Sequence, residues 1–250
     1  MDQTIRKKIL LVEDQVIIAM SQIKLLNSEG FDVVHAQSGE EAIKIATTEY
    51  KKIDMILMDL DLGVGIDGFE TSKSILNIHN IPIIFLSSQS ERETIKKSEE
   101  ITSYGYILKT SGAIVLIASI KIALKLAESN NRLRESELKF LKTFKYSPIP
   151  ISINDIMDGN RFIDCNDAFV ESTGFSKEEV IGQLPSHFNF YPYPHQREEL
   201  LKLMENQGDV HNFRHFFQNK EGKITERSLT LVQVSISDKP YYLVFDVILG

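Results

Sequence analysis

The first half of the chain repeats one pattern: a short apolar run that ends abruptly in a polar residue, followed by a segment with helical spacing. Lys7 to Val12 (KKILLV) stops at Glu13-Asp14, and an unbroken apolar run of this kind suits a parallel strand buried on both faces. Val16, Met20, Ile23 and Leu26 then fall at helical spacing, with Gly30 placed to end the helix. Phe31 to Ala36 reads as a second strand. Ser38, with Glu41 three residues on, reads as a capping box for a helix to about Glu49. Ile53 to Met58 is a third strand ending at Asp59, and a glycine- and acid-rich loop leads to a helix from about Gly68. A fourth strand, Ile81 to Leu86, ends at Ser87. A charged helix, Glu91 to Glu100, separates it from a fifth strand, Tyr104 to Leu108, that ends at Lys109. Alternation of this kind predicts an α/β doubly wound parallel sheet with right-handed crossovers and helices on both faces.

From Ser111 to about Lys145 there is no proline, and Gly112 is the sole glycine. Ile117, Ile120, Leu124, Ala127, Asn131, Arg134, Leu138 and Leu141 keep a 3-4 spacing with a polar middle. One reading is a continuous helix that pairs with a second copy, Asn131 fixing register. The other is a hinge near Ser129-Asn130-Asn131, and the continuous or slightly broken helix is favoured. Ser147-Pro148-Ile149-Pro150 then breaks the helix, and the pattern changes. Ile149 to Asn154 and Arg161 to Cys165 read as strands about the turn Asp158-Gly159-Asn160. Short helices are predicted at Asp167 to Ser172, capped by Asn166, and at Glu178 to Ile181. A longer one is predicted at His195 to Asn206. Three alternating segments follow: Val210 to Gln218, Lys223 to Ser235 and Tyr241 to Ile248. Strands, helices and then a meander predict an α+β domain with an antiparallel sheet.

The polar residues that end the strands are the candidates for chemistry. Glu13, Asp14, Asp59, Ser87 and Lys109 all fall at carboxyl ends, the edge where open α/β sheets bind ligands. Three carboxylates meeting there repel one another unless a cation intervenes, and an oxygen-only donor set suits Mg²⁺. Taken singly, each residue has a plainer explanation: Asp14 as a helix N-cap, Asp59 as a turn former, Lys109 as a solvated loop lysine. Their ordered occurrence at four strand ends favours the functional reading.

With Glu13-Asp14, Asp59, Ser87, Tyr106 and Lys109 at these spacings, residues 1–127 resemble a response-regulator receiver domain of the CheY type. The resemblance implies a (βα)₅ fold with strand order 2-1-3-4-5. It implies that Asp59 accepts a phosphoryl group from a phosphohistidine on a partner histidine kinase. It assigns Mg²⁺ to Glu13, Asp14, Asp59 and the backbone carbonyl of Asp61, and charge compensation to Lys109. Ser87 and Tyr106 would move together as the switch. The sequence departs from that pattern in three places. Thr110 follows Lys109 where proline is usual, and a cis bond before a non-proline residue costs about 2.5–4 kcal/mol, which argues for a trans or strained peptide. The loop Leu60 to Asp67 lacks the usual Met-Pro and is one residue longer, and Thr102-Ser103 replaces Ala-Gly. These changes bear on the output surface more than on the acceptor.

Residues from about 136 to 250 resemble a PAS domain. The resemblance rests on Ser147-Pro148, Asn166-Asp167-Ala168-Phe169, Thr173-Gly174-Phe175, Glu178-Glu179-Val180-Ile181-Gly182 and Lys220-Glu221-Gly222. It implies ligand sensing, cofactor binding or dimerisation, without choosing among them. Cys165 lacks the Asn-Cys-Arg-Phe setting of photoreactive PAS domains and reads as a small buried residue. His187 and His195 read as structural or exposed rather than as haem ligands, and no PAS ligand or cofactor is assigned. Phe213, Phe216, Phe217 and Phe245 read as core. The expected division is therefore a receiver at 1–127, a connecting helix at 128–146 and a PAS sensor at 147–250, with a homodimer through helix and PAS.

Composition narrows the partners. Among 250 residues the net charge is −7, which disfavours a surface built for nucleic-acid phosphates. A single cysteine excludes an internal disulfide and fits a reducing cytoplasm. No run reaches the roughly 18–20 apolar residues of a membrane span, and the start carries no secretory pattern. None of the six histidines lies in a kinase phospho-acceptor motif and no Gly-rich ATP-binding box occurs, so no kinase activity is expected of these residues.

Overall fold

The structure is a computed structural model that describes residues 6–88, 101 and 104–249. It forms two compact units, Met1–Arg134 and Glu135–Gly250. Among the described residues, the first unit contains β1 (Lys8–Val12), α1 (Val16–Ser28), β2 (Asp32–Ala36), α2 (Gly39–Glu49) and β3 (Met55–Asp59). These are followed by α3 (Gly68–Leu76), β4 (Ile83–Ser87), β5 (Gly105–Leu108) and the start of α4 (Gly112–Lys145). The expected helix Glu91 to Glu100 lies outside the described residues, as does Thr102-Ser103.

The five strands form one parallel sheet in the order β2-β1-β3-β4-β5. Its two faces explain the unbroken apolar runs, because successive side chains point to opposite sides. Ile9 and Leu11 of β1 join Leu57, Ile84 and Leu86 in one core, closed by Ala19 and Leu26 of α1 and by Ile117, Ile120 and Leu124 of α4. Leu10 and Val12 join Ile56, Met58 and Phe85 in the other, closed by Ala42 and Ala46 of α2 and Ile75 of α3. Each large aliphatic buried this fully contributes about 1.5–3 kcal/mol. The helical spacing at α1 holds, but its inward face is Ala19, Ile23 and Leu26; Val16 and Met20 are exposed.

The ends of these helices follow from local chemistry. The Ser38 hydroxyl accepts from the Glu41 N–H at 3.2 Å, while the Glu41 carboxylate accepts from the Gln37 N–H at 2.8 Å. The predicted box therefore closes one residue earlier than its usual form. Asp67 caps α3 by accepting from the Glu70 N–H at 2.8 Å. Helix α4 is one unbroken helix, so the hinge near Ser129-Asn130-Asn131 is absent. Its residues 128–143 are exposed on every side.

The second unit contains β6 (Ile151–Asp155), β7 (Arg161–Cys165), α5 (Asp167–Thr173), α6 (Lys177–Val180), α7 (Pro194–Gln207), β8 (Val210–Gln218), β9 (Ile224–Ile236) and β10 (Lys239–Ile248). Its strands form an antiparallel sheet in the order β7-β6-β10-β9-β8. Two apolar clusters pack against it, one rich in phenylalanine (Phe162, Phe169, Phe190, Phe217) and one built on Leu200, Leu229 and Leu231. Phe217 is core as expected, but Phe216 is exposed on the other side of β8.

Buried Asn166 ties the start of this unit together. Its Oδ1 accepts from the N–H groups of Ile151 and Phe169, both at 2.9 Å, and its Nδ2 donates to the Ile149 carbonyl at 2.8 Å. Asn166→Ala removes a cap and leaves buried backbone groups unpaired, so it is expected to cost the second unit about 2–4 kcal/mol. Hydrogen exchange resolved by unit should show that loss in the second unit, with protection in the first unchanged.

Candidate functional site

The carboxyl edge of the parallel sheet gathers the predicted polar residues. Glu13 follows β1 and is fully buried; Asp14 beside it is half-buried; Asp59 closes β3 and is 2% exposed. Carboxylate oxygens of all three lie within 4.8 Å of one another. Lys109, one residue past β5, donates from Nζ to Glu13 Oε2 and to Asp59 Oδ2, each at 2.6 Å. The backbone N–H of Asp61 donates to Asp59 Oδ1 at 3.3 Å, so both oxygens of Asp59 are held.

The main chain shapes the rim. Gly68 packs so closely on the strand end that a Cβ there would lie 2.1 Å from the Asp59 carbonyl oxygen. Gly63, at φ +68°, brings the loop against Asp14, where a Cβ would sit 3.0 Å from Oδ2. This is the loop whose sequence departs from the receiver pattern. Ser87 is buried at the end of β4, and its carbonyl accepts from the Lys109 N–H at 2.8 Å. Tyr106 is half-buried against the second core. The Lys109–Thr110 peptide is trans.

Burial pushes the carboxyls of both Glu13 and Asp59 above their ordinary values, more than Lys109 pulls them back, and neighbouring carboxylates add to the rise. Burial works to lower Lys109, but its bonds to Asp59 and Glu13 outweigh that and hold it above the usual lysine value. Three carboxylates against one ammonium leave this edge two charges negative. Asp14 Oδ1 is buried without a hydrogen-bond partner among the described residues, an acceptor on an all-oxygen donor set. A hard divalent cation of the Mg²⁺ kind fits these residues. Asp61 is exposed beside them, its carbonyl on the loop that passes Asp14.

The second unit holds a different arrangement that the sequence left hidden. His215 on β8 is 1% exposed, and its Nε2 meets Asp246 Oδ1 of β10 at 2.9 Å. Arg227 of β9 donates from Nη1 to Asp246 Oδ2 at 3.2 Å and stacks 3.8 Å above the Phe217 ring. A bulge in β8 between Val210 and Phe213, with Asn212 at φ +53°, turns Phe213, His215 and Phe217 to the inner face. The shared parity of His215 and Phe217 was the signal available. Cys165 is buried as expected, its thiol pushed up to about 11 by burial. His187 and His195 are exposed.

In the presence of EDTA, Lys109→Met is expected to cost the first unit about 3 kcal/mol at pH 7, by leaving buried carboxylates unpaired. Glu13 and Asp59 titrate above their unfolded values, so the folded state takes up protons first and gains stability as pH falls through that window. Without Lys109 these carboxyls rise further, so the variant takes up protons before the wild type and the cost of the substitution should shrink as pH falls from 7 toward 5. Urea unfolding at the two pH values measures it, and a cost that stays constant or grows would contradict the pairing.

Comparison with known proteins agrees with this geometry. Residues 9–121 match the response regulator receiver domain family, and residues 148–248 match the PAS domain family. Sporulation initiation phosphotransferase F of Bacillus subtilis is 32% identical over 104 residues, which cover 41% of this chain and 82% of that protein. Transcriptional regulatory protein PdtaR of Mycobacterium tuberculosis is 28% identical over 123 residues, 49% of this chain; the match spans only 58% of the length of PdtaR. The solved N-terminal domain of a response regulator/sensory box/GGDEF 3-domain protein from Carboxydothermus hydrogenoformans is 38% identical. It covers 50% of this chain and 98% of that one, with a TM-score of 0.47. The chain belongs to the response-regulator receiver family through its first unit, and a segment that matches the PAS domain family follows it.

Proposed function

We propose that the chain is a cytoplasmic two-component signalling protein whose receiver accepts a phosphoryl group on Asp59 from a partner histidine kinase. The observation that carries this is the meeting of Glu13, Asp14, Asp59 and Lys109 at one sheet edge, with Ser87 on the adjacent strand end. An Asp59 oxygen attacks the phosphorus, the bond to the kinase imidazole nitrogen breaks, and that nitrogen keeps the electron pair. Such a transfer asks a protein for positioning and charge compensation more than for covalent help. Lys109 and the Asp61 N–H hold the Asp59 carboxylate in place. Glu13, Asp14, Asp59 and the Asp61 carbonyl would hold Mg²⁺, which supplies positive charge against the phosphoryl oxygens. Ser87 and Tyr106 would carry the switch, the hydroxyl moving to the new phosphoryl group and the ring rotating inward.

A second reading makes the PAS unit the main actor, as a sensor or scaffold, with Asp59 seldom phosphorylated. The cavity in that unit favours it. Incubation with acetyl phosphate and Mg²⁺ separates the two. Intact-mass measurement is expected to show a phosphoryl-sized gain in the wild type, none in Asp59→Asn and little in Asp14→Asn. No gain in the wild type would sink the phospho-acceptor reading.

A homodimer through α4 belongs to the same proposal. Leu138 and Leu141 stand half-exposed on a stretch of α4 whose residues 128–143 face solvent, a surface suited to a parallel partner helix. Sedimentation of the full chain should show a dimer that the pair of changes Leu138→Glu and Leu141→Glu converts to monomer. A wild type that stays monomeric at high concentration argues against it.

A further inference from the structure

The second unit holds a half-open cavity of about 150 Å³, a size that admits a benzene ring. Phe162, Phe169, Phe190, Leu200 and Leu231 give it an apolar wall. His215 also lines it, and is the one polar side chain there that is both almost wholly buried and short of a partner. Its Nε2 is taken by Asp246, while Nδ1 is buried with no hydrogen bond among the described residues. A buried polar atom left so costs about 1–3 kcal/mol, and native proteins rarely keep one without a use.

The neighbours of His215 fix what Nδ1 can offer. A carboxylate only accepts, so the ring presents an N–H to Asp246 from Nε2, and in the neutral ring that leaves a lone pair on Nδ1. Asp246 is already balanced by Arg227, which is further tied to the Ser172 carbonyl at 3.1 Å and to Thr225 Oγ1 at 3.0 Å. The buried charges therefore cancel, and Arg197, the other charged side chain on the lining, is exposed to solvent, where its charge is screened. Asn160, also on the cavity, has a buried side-chain oxygen without a partner, a second acceptor.

We propose that this cavity binds a neutral, ring-sized molecule that donates a hydrogen bond to Nδ1 of His215. The apolar wall supplies most of the binding, and the acceptor nitrogen selects for an O–H or N–H on the ring. The site is separate from Asp59, so ligand binding and phosphorylation succeed or fail independently.

Phenol and toluene test this, since they differ only by a hydroxyl in place of a methyl group. NMR titration of the full chain is expected to show phenol binding about ten-fold more tightly than toluene, a difference of about 1.4 kcal/mol. In His215→Phe that preference should disappear. In the wild type, the ¹⁵N resonance of Nδ1 should move with phenol and stay with toluene, a readout that does not depend on the variant folding. Binding of neither probe, which would leave the cavity to water, overturns the proposal. So does equal binding of the two, a preference retained in His215→Phe, or benzoate binding more tightly than phenol.

Discussion

Asp59 and Asp246 are both almost fully buried, and a carboxylate in that position must meet a cation or lose its charge. Each unit is organised around that constraint. In the first, Lys109 reaches across from the end of β5 to Asp59 and Glu13, drawing the ends of three strands to one point. In the second, Arg227 and His215 converge on Asp246 from adjacent strands, pinning the middle of the antiparallel sheet. The difference lies in the balance. The first cluster keeps an excess of negative charge and an open acceptor on Asp14, whereas the second is neutral and leaves an open acceptor on a histidine. One arrangement suits a hard cation and a phosphoryl group; the other suits an uncharged ligand.

The precision of the first cluster comes from backbone rather than from side chains. Strand ends in a parallel sheet are fixed by their ladder, so Asp59 and Ser87 have little freedom once β3 and β4 pair. Gly68 then lets α3 begin directly against the Asp59 carbonyl, closing the site from the other side. Lys109 is the flexible member. Its long side chain is held by two carboxylates at once, so any new group bound between them must rearrange those contacts.

Much of the first unit was legible because its chemistry coincides with a change in pattern: four of the five apolar runs stop at a polar residue of the site. Burial of the strands on both faces made those runs continuous and easy to place. The α1 stripe misled in part, since Val16 and Met20 keep helical spacing yet face solvent, while small Ala19 lies against the sheet. The continuity of α4 was left open by Asn130-Asn131, which break the apolar stripe without breaking the helix. In the second unit the short helices could be read from the Asn166 cap and from Gly174 and Gly182, which follow them. The His215, Arg227 and Asp246 cluster could not. Its members sit 12 to 31 residues apart on three strands, and each alone reads as a surface residue in an alternating segment.

The bulge at Asn212 has a consequence for how such a domain can diversify. Strict alternation from Val210 would send Arg214 and Phe216 inward and leave His215 and Phe217 outside. Loss of a single residue at this point would remove the bulge and restore plain pairing, with Phe213, His215 and Phe217 still on the inner face. The extra residue therefore bends the strand without choosing its lining, and substitutions at the inward positions themselves are what change the cavity wall. Related sequences that lack the extra residue should keep the same inward positions along β8 and lose only the bend.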